Sequence, residues 1–214
     1  YDMAYSVDSD IPKFIDVIIN TRELQNGDAA MQQAIALLEA WNYQTDPDNR
    51  AAALMVLTLS YIHEHGTIEV SNLVGSEVEP TLLVDGFTEA VNVLQENFGR
   101  VDIPWSQVNR LIRGDVDLGI GGAPDILHAV YGELEEDGRF RGTGGDSYLM
   151  LISWDANGNL SSQSIHQYGS ATLDDTSPHY ADQSPLFVNR ELKPVWLLEA
   201  EIRAHLEREY RPGD

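Results

Sequence analysis

The stretch Ser147–Gln167 constrains the fold more than any other part of this chain. Ser147–Trp154 reads as a strand, Ala156-Asn157-Gly158-Asn159 as a turn and Leu160–Gln167 as the returning strand. In the first strand Tyr148, Met150, Ile152 and Trp154 share one face, and Leu149 and Leu151 occupy the other. A strand apolar on both faces belongs between two layers. Its partner is different: Ser162, Ser164 and His166 alternate with Gln163, Ile165 and Gln167, so that strand faces water or a polar cleft.

The flanking patterns set the fold class. Residues 1–110 carry helical periods. Ser9 or Asp10 caps a first helix with Pro12 in its opening turn and Phe14, Ile15, Ile18 and Ile19 turned inward. Asp28 caps a second, with Met31, Ile35, Leu38 and Trp41 on one stripe. Asp46-Pro47 breaks it, and Asp48 starts a third through Arg50, Leu54, Leu57 and Tyr61 that ends at Gly66. Pro80–Phe98 is a fourth, followed by Gly99. Glycines then accumulate over 111–145, with a short helix expected at Pro124–Tyr131, and a last helix is expected at Val195–Tyr210. Helices, then strands, then a helix, without βαβ alternation, predict an α+β protein. The expected organisation is a helical subdomain over 1–110, a glycine-rich connection over 111–145, and a core hairpin, long polar loop and C-terminal helix over 146–214.

Composition limits what such a chain can bind. Thirteen Lys and Arg against 35 Asp and Glu leave a formal charge of −22, with Lys13 and Lys193 the two lysines. That surface repels nucleic-acid phosphates and anionic lipid, which makes both poor partners. The excess is spread along the chain apart from Glu133–Asp137, as on a solvated surface suited to salty surroundings. Apolar residues at 43% allow a core, and no run of eighteen apolar residues offers a membrane span. Without cysteine there is no disulfide and no thiolate metal site or nucleophile. Tyr1 opens the chain with no charged-then-apolar leader behind it, so the sequence is read as beginning after any targeting segment or as a piece of something longer.

Four groups of residues invite a chemical reading. Ser147 in Gly145-Asp146-Ser147-Tyr148 resembles the nucleophile of Gly-Asp-Ser esterases, yet it opens a strand instead of standing at a strand-to-helix turn. His63-Glu64-His65 looks like a metal cluster, but histidines two apart point to opposite sides of a helix and the His-Glu-x-x-His spacing is missing. The glycines of Arg141–Asp146 could make an anion nest, or simply an entry to the hairpin. Gly121-Gly122-Ala123-Pro124-Asp125 precedes an expected helix but has no nearby Lys, Ser or Thr to complete a phosphate site. Polar groups are densest in the loop of His166, Tyr168, Ser170, Ser177, His179, Tyr180, Asp182 and Gln183. No ordered Ser/His/Asp arrangement emerges there, and the loop reads as structural, locked by its own side-chain-to-backbone bonds.

Taken in order, Gly144-Gly145-Asp146-Ser147-Tyr148, the hairpin, Gly169-Ser170, Ser177-Pro178-His179-Tyr180 with Asp182-Gln183, and Lys193-Pro194 resemble the C-terminal end of the penicillin acylase family. Leu37-Leu38 with Trp41, Asp48-Asn49-Arg50-Ala51-Ala52, and Trp105 with Val108-Asn109-Arg110 are similar to its helical region. Many members read Gly-Gln-Ser-Gly before the His-Tyr block. Here His166-Gln167-Tyr168-Gly169-Ser170-Ala171 stands in its place, which leans toward the acyl-homoserine-lactone and aculeacin-type branch.

The resemblance implies a self-cleaving precursor with an αββα core, whose nucleophile is a serine at the start of the large subunit with its own α-amine as base. Tyr1 has no aliphatic hydroxyl, so the resemblance assigns the serine, and the family's catalytic asparagine and arginine, to residues before this chain. It transfers no catalytic, cofactor or metal role to any residue here. It implies a C-terminal part of the large subunit, partnered by the remaining acylase chains, in a periplasmic or secreted enzyme. That enzyme releases an acyl group from an amide such as an N-acyl-homoserine lactone, a penicillin-type or a lipopeptide substrate. The alternatives are an esterase using Ser147 and a non-catalytic binding module.

Overall fold

The structure is a computed structural model and describes residues 11–66, 78–124, 126–209 and 211. The expected cap at Ser9 or Asp10 lies outside the described residues. Helix α1 (Ile11–Asn20) buries Ile11, Phe14, Ile15 and Ile18, the stripe its spacing demands. After α2 (Arg22–Gln25), α3 (Ala29–Glu39) starts at Asp28, whose carboxylate accepts the Met31 N–H at 3.0 Å. Helix α4 (Ala52–His65) is capped by Asn49 and not by the expected Asp48: Asn49 Oδ1 accepts from the N–H groups of Ala51 and Ala52, both at 3.0 Å. Burial runs all round α4, from Ala52 through Leu59, which makes it the centre of the helical region. Helix α5 (Pro80–Phe98) crosses it at Gly86, where a Cβ would sit 3.0 Å from the Thr58 carbonyl. Gly99 closes α5 in the left-handed conformation at φ +69°.

Residues 111–145 are not a glycine-rich connection. After α6 (Trp105–Val108) come β1 (Asn109–Arg113), β2 (Val116–Gly119), β3 (Val130–Leu134) and β4 (Phe140–Gly145), in the sheet order β2-β1-β4-β3. The β1–β4 pair is parallel and the other two pairs are antiparallel. The glycines serve close approach: a Cβ on Gly132 would meet the Arg141 carbonyl at 2.5 Å and the Phe140 ring at 2.6 Å. The helix expected at Pro124–Tyr131 does not form. The Val130 N–H donates to the Ala123 carbonyl at 3.1 Å, and the chain passes directly into β3. Trp105, fully buried, ties helices to sheet. Its Nε1 donates to the Gly122 carbonyl (2.7 Å), its backbone N–H to the Asn49 carbonyl (2.8 Å), and its ring lies 6.0 Å from that of Phe140.

These elements make up the first of two compact units, Tyr1–Asp146; the second is Ser147–Asp214. In the second, β5 (Tyr148–Trp154) and β6 (Leu160–His166) pair antiparallel from Tyr148↔His166 to Trp154↔Leu160. The turn closes through the Asp155 N–H to the Asn159 carbonyl at 3.0 Å, with Gly158 at φ +81°. Helix α7 (Ser184–Val188) follows the polar loop, and β7 (Lys193–Pro194) pairs with β6. The last helix, α8 (Glu199–Ala204), is shorter than the expected Val195–Tyr210. Val195 is drawn into extended pairing, its N–H donating to the Ser162 carbonyl at 2.9 Å, which removes the first turn.

The class is α+β, as predicted. The core differs between units. All residues of the main apolar cluster lie between Ile11 and Phe140. In the second unit Ile165 and Phe187 are the buried apolar side chains among the described residues, and every residue of β5 is exposed on whichever face it stands. The two layers that its sequence calls for are not supplied by the described residues.

Candidate functional site

The polar loop between β6 and α7 is stitched across its base. The His166 N–H donates to Gln183 Oε1 (3.1 Å), the Gln183 N–H to the Tyr168 carbonyl (2.8 Å) and Ser184 Oγ to the Gln167 carbonyl (2.9 Å). Higher up, the Ala171 N–H donates to the His179 carbonyl at 3.1 Å, and Gly169 passes so close that a Cβ would stand 2.0 Å from that same oxygen. Asp174 accepts from Thr176 Oγ1 at 2.6 Å and from its N–H at 3.1 Å, which holds the carboxyl below its ordinary range. Ser177 Oγ accepts from the His179 N–H at 3.2 Å. Tyr168 and Tyr180 are half-buried and Ser170 is exposed.

His179 is the chemical centre of the loop. Its Nδ1 lies 2.8 Å from Asp182 Oδ2 and its Nε2 2.9 Å from Glu207 Oε2. The bond to Asp182, then that to Glu207, raises the imidazole pKa, so the ring is favoured as an imidazolium donating from both nitrogens. A ring so engaged has no lone pair for a serine proton, and the arrangement is a clasp and not a general base. Glu207 lies 28 residues further along the chain, and no local pattern could have revealed it.

Ser147 is exposed and stands one residue before β5, away from any strand-to-helix turn. It follows Gly145, held at φ +124° with a Cβ position 2.1 Å from the Ala129 carbonyl, and Asp146, whose N–H donates to that carbonyl at 3.0 Å. Asp146 Oδ2 lies 3.4 Å from Nδ1 of the buried His128, and burial pushes the Asp146 carboxyl upward. The Arg141–Gly145 glycines belong to β4 and pair with β3, so they form a ladder and not an anion nest. The Gly122 N–H is likewise taken, by the Thr45 carbonyl at 2.9 Å, and Asp125 lies outside the described residues.

His63 and His65 diverge as their spacing predicts. His63 lines a cleft of about 510 Å³ with Val56, Leu59, Ser60, Tyr131 and Phe140. His65 lines a separate hollow of about 310 Å³, stacks on Tyr61 with centroids 4.0 Å apart and bonds the Tyr61 carbonyl at 3.0 Å. Among the described residues no three His, Asp or Glu side chains are grouped to hold a metal ion. No helix of the described residues is long and apolar enough to cross a membrane.

The residues quoted from the helical region are architectural. Trp41 donates to the Gln44 carbonyl (2.8 Å), Asn49 caps α4, Arg50 donates to the Asp102 carbonyl (2.6 Å), and Trp105, Val108 and Asn109 are fully buried. Comparison with known proteins bears on what they are part of. The family described as penicillin amidase matches residues 5–204. No curated protein matches the chain. Among solved structures, the chain is similar to a thermostable penicillin G acylase from Alcaligenes faecalis in orthorhombic form. Identity is 14%, the TM-score is 0.42, and the match covers 97% of this chain and 47% of that one. The chain therefore spans less than half the length of that relative.

Proposed function

The chain belongs to the penicillin amidase family, and from that membership we propose that it is the C-terminal part of the large subunit of a self-processed acylase. The reaction is hydrolysis of an amide to release an acyl group, with a branch preference toward N-acyl-homoserine lactones or lipopeptides. The serine nucleophile lies on a segment other than this one. Its hydroxyl attacks the amide carbonyl, its α-amine takes the proton, the amine product leaves, and water then cleaves the acyl ester. This chain contributes the β5–β6 hairpin to the sheet beside that centre and the His179-clasped loop that braces it. The enzyme works in the periplasm or outside the cell.

The observation that carries the reading is the family match over residues 5–204. Two features of the chain support it. Ser147 opens a strand in a setting foreign to esterase nucleophiles. The histidine beside two carboxylates, His179, has both nitrogens committed.

The test is labelling of the enzyme made from its complete reading frame, using a serine-directed reagent and a chromogenic acyl amide. The expected result is turnover, with the label on an N-terminal serine outside Tyr1–Asp214 and Ser147→Ala turning over normally. A label on Ser147, or turnover by the 214 residues alone, overturns the assignment.

A further inference from the structure

The chain contains two Asn-Gly pairs, Asn26-Gly27 and Asn157-Gly158. In such a pair the asparagine amide is most open to attack by the next backbone nitrogen, because glycine puts no Cβ beside that atom. Both pairs are exposed. In both, the glycine N–H is engaged at 3.0 Å, by the Leu24 carbonyl for Gly27 and by the Asp155 carbonyl for Gly158. Exposure and backbone bonding therefore do not separate them.

The side chains and the surrounding space do. Asn26 Nδ2 donates to the Arg22 carbonyl at 2.8 Å, which ties that amide back onto α2. Gly27 is wedged: a Cβ there would stand 2.6 Å from Met31 Cγ and 3.0 Å from the Leu24 carbonyl. Swinging the Gly27 nitrogen toward Asn26 means displacing Met31, a buried residue of the main apolar cluster. At Gly158, with φ +81°, no neighbouring atom lies within 4 Å of the same position. The Asp155 carboxylate accepts from the N–H groups of Asn157 and Asn159, each at 2.8 Å, and from Asn159 Nδ2 at 2.7 Å. It leaves out the Asn157 side chain, whose amide makes no hydrogen bond among the described residues.

We propose that Asn157 is a self-modification site of this protein and that Asn26 is not. When the turn opens, the Gly158 nitrogen gives its proton to a solvent base and attacks Asn157 Cγ. The new N–C bond closes a succinimide ring, the Cγ–Nδ2 bond breaks, and ammonia leaves with a proton from water. A water molecule then opens the ring. Attack at Cγ yields aspartate, and attack at the Asn157 main-chain carbonyl yields isoaspartate. An amide and a water are consumed, a carboxylate and an ammonium ion are released, and nothing is oxidised. The chemistry needs only this chain and water. Either product sets a new negative charge near the Asp155 carboxylate in a chain already at −22. Isoaspartate also lengthens the main chain by a methylene between the Asp155 N–H and the Asn159 carbonyl that close the turn, and so loosens that end of the hairpin.

The experiment is peptide mapping by mass spectrometry on the enzyme made from its complete reading frame, held folded at mildly alkaline pH, with fragmentation that tells isoaspartate from aspartate. Attack waits on local opening, and the Gly27 site opens only with the packing around Met31. Conversion at Asn157 should therefore be at least about tenfold faster than at Asn26. In denaturant the two sites should convert at comparable rates, which assigns the difference to the fold. Equal rates in the folded enzyme, or faster conversion at Asn26, overturn the proposal. A gap that survives in denaturant places its cause in the flanking sequence and overturns it too. So does an Asn157 still intact in the folded enzyme after about ten times the period that converts it in denaturant. As a second arm, Asn157→Gln moves the amide carbon out by a methylene at an exposed position that holds no side-chain bond. It should abolish conversion there and leave Asn26 unchanged; undiminished conversion at position 157 overturns the proposal.

Discussion

From Ile11 to Phe140 the apolar side chains of the first unit close on one another, whereas among the described residues of the second Ile165 and Phe187 are the buried ones and Trp154 stands open with the rest of β5. The second unit also leaves Trp196, Leu197, Leu198, Ile202 and Leu206 exposed around α8. Both units are regular in backbone, so the difference does not lie in secondary structure. The first is shaped by area removed from water. The second is shaped by directional bonds across the loop base and by the His179 clasp, which fix geometry while burying little.

Substitutions can break or sharpen that contrast. The largest effect is expected for Trp105→Ala, which empties the centre of the first unit and strands the Gly122 carbonyl. Chemical denaturation followed by circular dichroism should show a loss of about 3–5 kcal/mol. A loss below about 1 kcal/mol would mean that the first unit is not held by its core. Gly169→Ala tests the second unit where it has almost no apolar content to disturb: a Cβ would meet the His179 carbonyl at 2.0 Å. The expected cost is about 1–3 kcal/mol, together with faster proteolysis between Gln167 and Gln183. An unchanged cleavage rate would show that the loop bonds do not set the shape.

The smallest effect concerns acidity. Because folding raises the pKa of His179, its contribution is complete below the unfolded value of about 6.5 and is lost as pH rises through the folded value. Protection of loop amides should therefore weaken on the alkaline side, and His179→Gln should abolish that dependence. The group is exposed, so solvent screening keeps the effect modest. A loop whose protection is flat across this range would remove the clasp from the account.

The sequence disclosed periods and punctuation well. The hairpin strands lie within one residue of their expected limits, α5 spans Pro80–Phe98 as read, and Asp28 caps α3. It misled where one residue type serves two purposes. Glycines at 132, 142, 144 and 145 read as loop, but they lie in β3 and β4, where Gly132 makes room for Phe140 and Arg141. The apolar run before Tyr131 carries no period that separates helix from strand, and the bridge at Ala123 decided it. At the candidate site the loop's polar richness was visible, but its meaning was not: the partner that commits His179 is Glu207, a contact set by tertiary folding alone.

Trp105 also says where this polypeptide can be divided. A boundary at residue 110 looks natural on periodicity, yet it would part the indole from the Gly122 oxygen and from Phe140, and leave β1 cut at its second residue. Gene truncations or insertions placed there should yield insoluble material. A break between Asp146 and Ser147 spares every one of those bonds, so it is there that a split reporter or an exchanged module has a chance of working.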